Sequence, residues 1–134
     1  MKINRLQRLV LALGCALLAG AVEAEGPVII THPGVTLSAD DVRDVFLGEK
    51  QIASGVKLVP VDNAAEQPAF LAQVIKLDAT KYATAWTKKS FRDGLNPPAV
   101  KSSDAEVADF VKRTPGAVGY VAAAPAGGGV NIVK

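Results

Sequence analysis

The residues best placed for chemistry are the six from Asp62 to Gln67, Asp-Asn-Ala-Ala-Glu-Gln. They follow an alternating apolar run, Val56 to Val61, and precede Pro68 and an apolar helical stripe. A loop that leaves a strand and opens a helix turns free backbone N–H groups toward whatever sits there, so a small anion is the ligand it suits. Asn63 and Gln67 would add donors. The plainer account is that Asp62 or Gln67 caps the helix and nothing binds. Thr31 and His32 close the first apolar strand, and strand ends border the ligand crevice in open α/β sheets. His32 could help hold an anion or titrate near neutral pH. As a turn residue before Pro33 it would have no task, and no acid or thiol stands near it in sequence.

Other groupings have plainer explanations. Lys88, Lys89 and Arg92 form a basic patch at helical spacing, which reads first as the solvated face of an amphipathic helix. Tyr82 and Trp86 are four residues apart and read as core. No G-x-G-x-x-G, Walker, G-x-S-x-G or H-E-x-x-H pattern occurs. One His and one Cys in 134 residues do not make a Cys/His zinc site. No catalytic residue, metal or cofactor is expected, and a hydrolase would have only His32 to support it. The formal charge of +2 gives no reason to expect nucleic acid.

The first two dozen residues read as an address. Lys2, Arg5 and Arg8 precede an uncharged run from Leu9 to Val22, and Val22-Glu23-Ala24 fits a cleavage site. The run is shorter than the roughly 20 residues a spanning helix needs. Residues 1–24 are therefore expected to be a signal peptide and 25–134 the exported, periplasmic domain. A lipoprotein reading competes through Leu13-Gly14-Cys15, but the apolar stretch continues past Cys15. Removal of 1–24 leaves twelve basic and twelve acidic residues and no Cys. About 110 residues without disulfides must rely on an ordinary packed core.

The elements that position these residues follow from pattern. Val28 to Thr31 reads as a buried strand closed by Pro33-Gly34. Ser38 and Asp41 fit a capping box, with Val42, Val45 and Phe46 as the buried stripe and Gly48 as the stop. Pro60 implies that the strand around Val56–Val61 lies at an edge or ends early. Asp78 is expected to cap a helix ending at Gly94, after which Asn96-Pro97-Pro98 is an extended connector. Ser103 and Glu106 form a second capping box before Val107, Phe110 and Val111. Ala117 to Val121 and Val130 to Val133 complete the strands. Strands alternating with helices imply an α/β layer structure with a small mixed sheet flanked by helices.

Two stretches carry a resemblance. Leu37 to Lys50, LSADDVRDVFLGEK, resembles the helix and "FLGK" turn of phosphate ABC transporter substrate-binding proteins. Thr114 to Val121, TPGAVGYV, is similar to the "TPGAIGYV" turn and strand near their C-terminal end. The resemblance covers most of Val28 to Val121. It implies a single lobe of the type II periplasmic-binding-protein fold, since members of full length have two lobes that close on a ligand. It further implies a small anion, phosphate, bound for ABC transport at Asp62, Asn63 and Gln67 with help from Thr31 or His32. A second copy could supply the missing wall of the cleft as a homodimer. The family's loop carries Arg, Asp and Ser-Gly-Thr; here Arg, Ser, Gly and Thr are missing, and Glu66 would repel an oxyanion. The alternative is therefore an interaction module on the same lobe, contacting a membrane transporter or sensor.

Overall fold

The structure is a computed structural model and describes residues 26–134. The signal peptide and the Cys15 alternative lie outside the described residues. Seven strands are β1 (Val28–Thr31), β2 (Ile52–Ala53), β3 (Val56–Lys57), β4 (Val59–Asn63), β5 (Ala99–Lys101), β6 (Ala117–Val121) and β7 (Asn131–Ile132). The helices are α1 (Ala39–Phe46), α2 (Gln67–Phe70, continued by a π turn over Leu71–Ile75), α3 (Ala79–Asp93) and α4 (Asp104–Arg113). Five strands form one mixed sheet in the order β5-β4-β6-β1-β7, and β2-β3 is a separate hairpin. β4 runs parallel to β5 and β6, whereas β1 runs antiparallel to β6 and β7.

Alternation along the strands divides the core in two. Ile29, Val118 and Tyr120 face Val42, Phe46, Phe70, Ile75 and Trp86 on one side. Ile30, Val61, Ala117 and Val121 face Val107 and Val111 of α4 on the other. The first side is centred on aromatic rings: Phe70 stacks on Tyr120 at 3.8 Å, and Phe46 meets both edge-on at 4.8 and 5.6 Å. Such pairs add about 0.5–1.5 kcal/mol each beyond the area they bury. Trp86 donates its ring N–H to the Phe46 carbonyl at 2.9 Å, which fixes α3 against the end of α1.

The helix ends follow their local chemistry. Asp41 accepts from the Ser38 N–H at 3.2 Å and from its hydroxyl at 3.0 Å, so the expected capping box forms. Asp78 accepts the Lys81 N–H at 2.8 Å at the start of α3, and Gly94 ends it in the left-handed region. Two expectations need correction. The apolar run before Asp62 is broken at Leu58 into β3 and β4, and β3 turns back on β2 through Ser54 and Gly55, both at positive φ. Pro60 sits in an interior strand, not an edge. Val59 donates to Gly116 on the β6 side, so the Pro60 nitrogen faces the β5 side, where the ladder starts only at Val61. No bond is lost there.

Gly116 is held at φ 84°, and a Cβ on it would collide with the Lys57 carbonyl. Gly127 has open space around it. Gly116→Ala should therefore lower stability by at least about 2 kcal/mol, while Gly127→Ala stays within about 0.5 kcal/mol of the parent. Urea unfolding of the two variants checks this; equal midpoints would contradict the turn geometry.

Candidate functional site

The C-terminal end of β4 places two polar side chains on opposite faces of the sheet. Asp62 points into the aromatic side and Asn63 toward α4; both are buried. Continuing the β4–β6 register sets Asp62 beside Tyr120. The Tyr120 hydroxyl donates to Asp62 Oδ1 at 2.7 Å, and the Tyr82 hydroxyl donates to Oδ2 at 3.0 Å. Burial pushes the Asp62 carboxyl above the usual carboxylate range; hydrogen bonds from Tyr120, Tyr82 and Gln67 oppose that shift without cancelling it. Burial, together with the neighbouring Asp62 charge, pushes both tyrosine hydroxyls well up, so they remain donors.

Asn63 is fully engaged. Its Nδ2 donates to Asp104 Oδ1 at 2.7 Å and to the Tyr120 carbonyl at 2.9 Å. Its Oδ1 accepts the Ala65 N–H at 3.0 Å. Asp104 in turn accepts the Ala122 N–H at 3.0 Å, so β4, β6 and α4 are tied at one point. Two further loop amides are bonded: Ala64 donates to Lys101 at 2.8 Å and Glu66 to Asn63 at 3.1 Å. The helix that follows has one α turn before its π turn, so it offers little macrodipole to an anion.

Beside this loop lies a groove of about 680 Å³ between α3 and the β5 edge. Asp62, Gln67 and Tyr82 form its floor, and Trp86, Phe91, Pro98 and Val100 line its sides. No lysine or arginine lines it. Chemically it is an apolar trough over one buried carboxyl, which suits an apolar group better than a free anion.

The expected site residues do not converge. Asp62, Asn63 and Gln67 share one end of the sheet. Thr31 pairs with Val118, which pairs with Pro60, so Thr31 lies three residues short of the β4 end, about 10 Å along the strands. The reason is the antiparallel run of β1 against β6, which turns its C-terminal end toward the N-terminal end of β4. Thr31 donates to the carbonyls of His32 and Val35 at 3.2 Å, and His32 Nδ1 accepts the Gly34 N–H at 3.3 Å. Both side chains close the Pro33-Gly34 turn. Tyr82, Tyr120, Asp104, Phe91 and Val100 are the site residues that spacing alone did not assign. Phe91 was within reach, because its helical position lies nearly opposite Tyr82 and Trp86. Lys89 pairs with Glu49 at 3.1 Å and Arg92 with Asp93 at 3.2 Å, outside the groove.

No protein-family model matches the chain, and no curated protein sequence is significantly similar to it. Solved structures are similar. One is a protein from Clostridium perfringens assigned as a phosphate ABC transporter substrate-binding protein and solved with bound phosphate, with TM-score 0.61, 17% identity, and coverage of 81% of this chain and 44% of that one. Another is PstS from Borrelia burgdorferi, with TM-score 0.56, 16% identity, and coverage of 81% and 46%. The chain thus shares the fold of phosphate-binding proteins of ABC transport, as the sequence resemblance implied. It spans less than half the length of either structure.

Loss of one hydroxyl from the buried carboxyl should be costly. Tyr120→Phe keeps the stacked ring but should lower stability by about 1.5–3 kcal/mol in urea unfolding. The pH dependence has a definite sign. The folded state holds the Asp62 proton more tightly than the unfolded chain, so this residue's stabilising contribution is complete at low pH. It declines as pH rises from the ordinary carboxylate range through the raised value. Asp62→Asn should abolish that part of the decline as pH rises above the ordinary carboxylate range, about pH 4. Parallel curves for the two proteins would contradict the assignment.

Proposed function

We propose that the protein is an exported, periplasmic module of the substrate-binding-protein type that works by contact with a partner, a transporter or sensor at the membrane. It is a binding protein and not an enzyme. The observation that carries this reading is that the amides of Ala64, Ala65 and Glu66 after β4 are held within the chain, while no lysine or arginine lines the adjoining apolar hollow. The fold likeness to proteins of ABC transport supports the class of work.

A second reading keeps phosphate as ligand for ABC transport, bound at Asp62, Asn63 and Gln67. Its support is the likeness to a structure with bound phosphate. It requires the Asn63 and Ala65 contact to open and another surface, such as a second copy in a homodimer, to complete the cleft. On either reading the leader is removed near Ala24. No helix among the described residues is long and apolar enough to cross a membrane.

Isothermal calorimetry of the exported protein with inorganic phosphate separates the two. The contact reading expects no saturable heat at millimolar phosphate. Saturable heat that vanishes in Gln67→Ala would overturn it in favour of phosphate binding. Intact-mass measurement of the same protein should show Glu25 as its first residue; a lipid-bearing Cys15 would replace export in free form with anchoring.

A further inference from the structure

The sheet edge beside the groove is open. β5 is the end strand on that side. The Lys101 carbonyl accepts the Ala64 N–H, so Lys101 turns its peptide groups toward β4, and alternation turns Val100 the other way. The N–H and C=O of Val100 therefore point out from the edge. Its side chain, level with Asp62 across the ladder, lies on the groove side and is 60% exposed. Phe91 stands on the facing rim and is 94% exposed. An unpaired edge beside an apolar trough is the geometry by which sheets accept an extended peptide.

Charge selects the kind of peptide. Phe91 is flanked by Lys88 and Arg92. Of the four cations on α3, Lys89 pairs with Glu49 and Arg92 with Asp93, which leaves Lys81 and Lys88. Lys88 has no ion-pair partner among the described residues. We propose that β5 and the groove receive an extended acidic segment of a partner protein. The segment adds as a further strand alongside Val100, seats an apolar side chain against Phe91 and Trp86, and sets a carboxylate over Lys88. This rests on the contact reading above and names its partner's chemistry. A second copy is the poorer occupant, because pairing at β5 would bring two basic α3 helices side by side.

The test uses a capped hexapeptide that alternates glutamate with valine and phenylalanine, and its counterpart with lysine for glutamate. Trp86 is the chain's one tryptophan and lines the groove, so its fluorescence reports binding. The acidic peptide should give a saturable change and the basic one none. Val100→Pro removes the outward N–H and leaves the bonds to β4, so it should weaken binding at least tenfold with an unchanged circular dichroism spectrum. Lys88→Glu should weaken it comparably. No response at millimolar acidic peptide, or equal binding by Val100→Pro, overturns the β5 assignment. A dimer in sedimentation that Val100→Pro dissociates overturns it in favour of a second copy. Loss of the peptide response leaves the contact reading standing when phosphate also gives no heat; saturable phosphate heat removes the reading beneath it.

Discussion

Two adjacent residues at the end of β4 govern this molecule. A strand turns successive side chains to opposite faces, so Asp62 and Asn63 enter different halves of the core. Each is buried, and a buried polar group must find partners or destabilise the fold. Asp62 finds the hydroxyls of Tyr82 and Tyr120, which draws α3 and β6 around one carboxyl. Asn63 finds Asp104, the Tyr120 carbonyl and the Ala65 amide, which joins α4, β6 and the loop. The sheet, its two layers of helices and the turn after β4 all meet at this pair.

That arrangement decides what the loop can do. An anion site at a helix start depends on amides left without partners. Here the side chain and carbonyl of Asn63 take the amides of Ala65 and Glu66, and Lys101 takes that of Ala64. Glu66 points the same way, since a carboxylate in this loop would repel an oxyanion. What remains accessible is the apolar groove and the edge of β5. The polypeptide contact proposed above uses that groove and that edge.

Much of the fold could be read from the chain because the signals were local. Ser38 with Asp41, Asp78 with Lys81, and Gly94 each define a helix end through contacts within four residues. The run from Ala117 to Val121 reads as a strand, and all five of its residues are buried. What could not be read depends on pairing across the sheet. Nothing in Val28–Thr31 says that β1 runs against β6, and that direction alone removes Thr31 and His32 from the β4 end. Pro60 looked like an edge marker because its effect depends on which neighbour its nitrogen faces. Tyr82 and Tyr120 read as core, and they are; their hydroxyls acquire a role only through residues 20 and 58 positions away.

Amide hydrogen exchange at the β4 loop tests the account most directly. Internal bonding predicts that the amides of Ala64, Ala65 and Glu66 exchange far more slowly than in an unstructured peptide, and that millimolar phosphate leaves their rates unchanged. Exchange at the unstructured rate that slows when phosphate is added would contradict it, because the loop would then hold its donors open for an anion.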